Sequence, residues 1–209
     1  MRSISKIILT TGTSIIAGTM LAMSAGLTAQ AADTLRVRGT VESLDGTTLA
    51  VKTREGTDAK IMLKDGWQVS SVAKASIDDI KPGDFVGIAS LPTESGGDGA
   101  LEVLIFPAAM KGTGEGSYAW DLKPNSSMTN ATVADAVKSV EGHTVTVTYK
   151  GKEKKIAIPE GTPVVTFAAA TVSDIKPGAT VFIPSEKAAD GSISSGRVVV
   201  GTNGVVPPM

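Results

Sequence analysis

The residues able to do chemistry are few and scattered. The chain of 209 residues holds one histidine, His143, and no cysteine. Without thiols there are no disulfides, thiolate metal sites or cysteine nucleophiles. A zinc site needs several His, Cys or clustered carboxylates. Met62, Met110, Met128 and Met209 are too dispersed for a soft-metal tract. Asp78, Asp79 and Asp84 crowd one turn and could offer oxygens to a hard cation. No Gly-x-Ser-x-Gly elbow supports a Ser-His-Asp triad. Gly112-x-Gly114-x-Gly116 lacks the Lys-Ser/Thr ending of a phosphate loop. The reading is therefore of no catalytic residue, no metal and no cofactor. One stretch stands apart: Tyr118-Ala119-Trp120-Asp121 places two large aromatics and an acid in a Gly-rich connection. Tyr118, Trp120 and Asp121 are the candidate ligand-binding residues, with the plainer alternative that they staple the connection to its neighbours.

The elements that must position them are organised by a repeated turn. Asp79-Ile80-Lys81-Pro82-Gly83 returns as Asp174-Ile175-Lys176-Pro177-Gly178. Pro second and Gly third is the pattern of a type II turn. Ser76 and Thr171 each stand three residues before the Asp, which resembles a capping box and implies a short helical turn. Ile77 with Ile80, and Val172 with Ile175, are spaced to face a core. The acids around the first turn are not repeated as a set, because Asp78 and Asp84 become Ser173 and Ala179.

Around each turn lie alternating strands. Val37, Gly39, Val41 and Ser43 alternate with charged or polar residues, Asp45-Gly46 closes a hairpin, and Leu49 and Val51 return. A third strand over 59–63 precedes the capped turn, and strands from Phe85 and over 101–106 follow it. The last, nearly continuous in apolar residues, reads as buried on both faces. The pattern returns, with Val41, Leu49 and Val51 matching Val137, Val145 and Val147, and Ile61 and Leu63 matching Ile156 and Ile158. Matched apolar periods and matched turns indicate an internal duplication. Three strands, a helical turn and two strands is the order of an OB-type barrel. The expected fold is all-β, two tandem five-stranded OB-like barrels over 35–110 and 132–209, each with one short helical turn between its third and fourth strands. An aromatic-containing loop over 111–131 connects them. Barrel closure is not derivable from periodicity, and an open sheet or a sandwich of the copies stays open. The lysines Lys150, Lys152, Lys154 and Lys155 read as a solvated turn.

Before the first repeat, Arg2 and Lys6 precede a diluted apolar stretch and Ala29-Gln30-Ala31. This reads as a signal peptide over 1–31, cleaved near Ala31. Its apolar runs are too short for a span of about 20 residues. The expectation is a periplasmic or secreted protein with no transmembrane span in the mature chain. The 20 basic and 21 acidic residues, and the loss of Arg2 and Lys6 with the leader, argue against a nucleic-acid partner.

The hairpin Gly39 to Gly46, the Asp-Ile-Lys-Pro-Gly turn and the Asp98 to Leu101 loop together resemble a family of exported bacterial proteins of unknown function built from small OB-like β-barrels. The resemblance covers both repeats. The segment with Met110-Lys111-Gly112 and Trp120-Asp121-Leu122 is similar to that of a narrower set, some of whose members carry a label linked to metal transport. The resemblance implies fold and export and brings no catalytic or binding residues. The reading is a non-enzymatic binding or scaffold module for an envelope protein or small ligand. The alternative is a periplasmic metal-binding or metal-uptake accessory protein.

Overall fold

The computed structural model describes residues 33–94, 96–139 and 142–208. The expected signal peptide and its cleavage point lie outside the described residues. The first half forms β1 (Asp33–Asp45), β2 (Thr48–Thr53), β3 (Asp58–Lys74), β4 (Phe85–Pro92) and β5 (Asp98–Ile105). The rest forms β6 (Gly116–Ala119), β7 (Ser127–Ser139), β8 (Gly142–Tyr149), β9 (Lys152–Pro159), β10 (Val164–Ala169), β11 (Thr180–Lys187) and β12 (Ile193–Gly201). Among the described residues helix is limited to single 3-10 turns, two of them at Ile77–Asp79 and Val172–Asp174. The fold is all-β, as the alternation required.

The hydrogen-bonded ladders do not follow the repeats. β1 pairs with β2, and β2 with β3. β3 then runs parallel to β12, β12 pairs antiparallel with β11, and β11 returns to β1. These five strands close a barrel in Greek-key order, with its third and last strands parallel. Two of its five strands come from the second half of the chain. The complementary set is β7, β8 and β9 with β4 and β5. β4 pairs with both β5 and β7. The second ring is completed where β5 meets β9 in parallel at Asp98↔Ile156 and Gly99↔Ala157. Segments 35–110 and 132–209 each carry a full set of strands, yet their last hairpins are exchanged.

The long third strand explains the exchange. β3 runs 17 residues and bends at Gly66, which has φ +70°, so that its first part pairs with β2 and its last part with β10. It carries the chain out of its own ring before the Lys-Pro-Gly turn reverses it. Both turns form as expected: Gly83 has φ +94° and Gly178 φ +87°, and Asp84 N donates to Lys81 O at 3.1 Å, as Ala179 N does to Lys176 O at 2.9 Å. Both capping boxes are present, Ser76 with Asp79 and Thr171 with Asp174. Each turn docks on the other half. Gly83 N donates to Val133 O and Val133 N to Asp84 O, both at 2.8 Å. Gly178 N donates to Val41 O at 2.9 Å and Val41 N to Ala179 O at 2.8 Å.

These bonds correct the sequence register. Val133, not Val137, holds the place of Val41, and each precedes a bulge in its hairpin. Val137 is 54% exposed, whereas Val41 and Val133 are buried. The second hairpin is simply longer, which periodicity cannot see. Ile80 and Ile175 reach the cores, but Ile77 is half-buried and Val172 lies exposed on the surface.

Each ring has its own apolar core drawn from both halves. The first joins Val37, Leu49 and Ile61 to Ile183, Val198 and Val200. The second joins Val86, Ile88 and Val103 to Val145, Ile156 and Ile158. A third cluster lies between them and includes Val72, Leu104, Val165, Phe182 and Val199. Val103 and Leu104 thus pack into different clusters, as do Val198 and Val199, so the continuous apolar runs are strands buried on both faces.

Candidate functional site

The expected connecting loop over 111–131 carries the short strand β6 and the start of β7, with turns before and between them. β6 pairs with the start of β7, Gly116↔Asn130 through Ala119↔Ser127. Asn130 is buried, and its amide donates to Thr113 O and to the Tyr118 hydroxyl, both at 3.2 Å. The short pairing fixes the residues that follow, with Trp120 N donating to Ser126 O at 2.8 Å.

Trp120 and Asp121 are then received by arginines of β1 and the β2 turn. Alternation along β1 turns Val37 into the first core and leaves Arg36 and Arg38 on the outer face. The Arg36 guanidinium lies 4.0 Å from the centre of the Trp120 ring. Arg38 donates to Asp121 Oδ1 at 2.8 Å, Arg36 stands 3.8 Å from Oδ2, and Arg54 donates to the Asp121 carbonyl at 2.9 Å. Partial burial pushes the Asp121 carboxyl up, but the hydrogen bond from Arg38 and the charges of Arg38 and Arg36 outweigh it and hold the group below the usual carboxylate range. Tyr118 makes an edge contact with Trp120 at 6.1 Å. Its hydroxyl is pushed up by burial, against the charge of Arg36. Trp120 also packs on the cluster between the rings. Tyr118, Trp120 and Asp121 therefore come together as a clasp on the first ring.

A large cavity lies elsewhere, a cleft of about 1460 Å³ between the two rings. One wall carries Arg38, Lys52 and Arg54, and the other Asp78, Glu102 and His143. The β10 residues Val164 and Val165, with Val181 and Val205, line the space between. Leu122 of the central segment reaches the lining, whereas Tyr118, Trp120 and Asp121 do not. Arg38 and Arg54 belong to both places: they grip Asp121 and face the cleft.

His143 Nε2 lies 3.2 Å from Asp78 Oδ1, with 13% of its side chain exposed. It is not the solvated turn residue its position suggested, because the exchanged β4 brings the Ile77–Asp79 turn against β8. Ser76 shares the cleft, but its Oγ accepts Asp78 N at 3.2 Å as a helix cap. Lys154 departs from the solvated-lysine reading: it pairs with Asp98 at 3.0 Å, both side chains less than one-fifth exposed. Among the described residues no group of three or more His, Asp or Glu is placed to hold a metal ion, and no helix is long and apolar enough to cross a membrane. Apart from Asp78, Asp79 and His143, the cleft residues were missed by sequence reasoning because they are ordinary polar and apolar residues, and the lining as a whole comes from nine separate segments. Only the exchange of hairpins brings them together. Compared with known proteins, the chain matches no family model, no curated protein and no solved structure.

Proposed function

We propose that this protein is an exported, non-enzymatic binding module whose ligand lies in the cleft between the two rings. The carrying observation is the cleft itself, walled by both rings and floored by the ladder that joins them. Its volume of about 1460 Å³ exceeds the roughly 300–1,000 Å³ typical of small-ligand pockets. That favours an elongated ligand or a segment of an envelope protein. The Tyr118-Trp120-Asp121 clasp holds Arg38 and Arg54 in place on the cleft wall and presents Leu122 to the lining.

The test is native mass spectrometry of the chain purified from its own cell envelope, beside a Val206→Trp variant. Val206 lines the cleft and is 64% exposed, so a larger side chain there fills space without entering a core. The expected result is a bound mass on the native chain that the variant loses. A bound mass retained unchanged by the variant, or a bare native chain, would contradict the reading and favour a scaffold role.

A further inference from the structure

We infer that the cleft takes an elongated dipolar ligand, anionic at one end, cationic at the other and apolar between. This rests on the cleft being the binding site. The two walls carry opposite charge because they come from different elements. The first-ring wall presents Arg38 from β1, and Lys52 and Arg54 from the end of β2 and its turn. These stand two residues apart along their strand, on the outward face of the barrel. The second-ring wall presents Asp78 and Asp79 from the turn before β4, Glu102 from β5 and Glu160 after β9. Glu102 is only 8% exposed. The middle is apolar, with Val164, Val165, Val181 and Val205. Outside the first-ring wall the lining also holds Lys74, opposite Val165 on the joining ladder, and His143, beside Asp78.

A ligand with one kind of charge is attracted by one wall and repelled by the other. A dipole spanning the cleft is attracted by both, and the field also fixes its direction. Many of these charges already have internal partners: Arg38 with Asp121, Lys52 with Asp58, Asp78 with His143, and Asp79 with the Ser76 amide. Those bonds hold the side chains in position, which reduces the ordering cost of receiving a ligand. Arg54 binds Glu55 and the Asp121 carbonyl through two of its five donor hydrogens.

The test uses the full chain and apolar chains of one length with different ends: aminododecanoate, dodecanoate, dodecylammonium, dodecanedioate and diaminododecane. Affinity is read by calorimetry below their aggregation concentrations. Aminododecanoate is expected to bind about tenfold more tightly than any of the others, a difference within reach of one complementary end group. Two charge reversals at exposed positions follow. Lys52→Glu is expected to shift the preference to diaminododecane, and Glu160→Lys to dodecanedioate, with unchanged melting curves showing that the fold is kept. Equal binding of all five, unmoved by the reversals, would overturn the polarity while leaving the cleft as the site. Binding of none would overturn the inference, and the co-purified mass would still judge the cleft on its own.

Discussion

Val72 of β3 lies opposite Phe167 of β10 in the antiparallel ladder that joins the two rings, and the two residues hold the same place in their respective halves. The ladder is therefore a crossing of each half with its own counterpart, and an approximate two-fold axis passes between this pair. Leu104 and Val199 pack in the same cluster around it. Phe167 also meets Phe106 edge-on at 5.9 Å.

Because each ring borrows two strands, neither half has a complete core of its own. Unfolding in urea should be one cooperative transition. Trp67 packs on the first core and Trp120 on the joining cluster, so tryptophan fluorescence and far-ultraviolet dichroism should share a midpoint. Phe167→Ala should lower the stability by about 3 kcal/mol, the low end for phenylalanine truncation in a core. Two separated transitions would contradict the exchanged cores.

Ile183 belongs to the second half but is fully buried in the first ring. Ile183→Ala should cost about 2–5 kcal/mol. Hydrogen exchange should show the loss of protection first in β1 and β2. Loss centred on β8 and β9 instead would argue against the pairing of β11 with β1.

Gly39, part of the opening hairpin, needs no positive φ, yet a Cβ there would collide with the Lys52 carbonyl and the Val51 side chain. β1 and β2 approach too closely for any side chain. Gly39→Ala should therefore destabilise by about 1–3 kcal/mol, as overpacking does, seen as a lower urea midpoint. A neutral result would mean that the hairpin can part at little cost.

The Asp121 clasp should make part of the stability depend on pH. The carboxyl is held below its ordinary value, so its contribution is present above the unfolded value of about 3.9 and is lost as pH falls through the lower folded one. With 44% of the side chain exposed, solvent limits the effect to below about 1 kcal/mol. The melting temperature of Asp121→Asn should lie below that of the native chain at neutral pH. The gap should close below about pH 4. A gap independent of pH would show that charge plays no part in the clasp.

Trp120 Nε1 is buried without a hydrogen-bond partner, so the ring matters here more than its N–H. Trp120→Phe should cost less than about 1 kcal/mol, since no hydrogen bond is lost. Trp120→Ala, which also uncovers Arg36, should cost about 3 kcal/mol. Equal costs in thermal melts would point instead to the indole N–H.

Much of the fold was legible in the sequence. Pro82-Gly83 and Pro177-Gly178 fix their turns through local backbone preference, and the Ser76 and Thr171 caps are equally local. The valine alternation around Asp45-Gly46 gives its hairpin for the same reason. What was not legible depends on which partner a strand meets. β11 carries the same pattern as β4, and either could sit beside β1 on periodicity alone. Three residues, Tyr118, Trp120 and Asp121, could be singled out by type. Their partners Arg36, Arg38 and Arg54 could not, because charges on alternate strand positions read as solvent-facing. On the cleft walls Asp78, Asp79 and His143 could be picked out by type, but not that they would face Arg38, Lys52 and Arg54.

The exchanged hairpins build the cleft, and one measurement tests them directly. The chain has no cysteine of its own, so two introduced thiols can report only on each other. Thr40 of β1 is paired with Thr180 of β11, and facing residues of an antiparallel ladder have Cα atoms about 4.5–5.5 Å apart, within disulfide range. Thr40→Cys with Thr180→Cys should close an intramolecular disulfide under mild oxidation, mapped by peptide mass. In a ring closed by its own half, Thr40 would instead face Phe85, the counterpart of Thr180. A disulfide formed by Thr40→Cys with Phe85→Cys, and none with Thr180→Cys, would contradict the account.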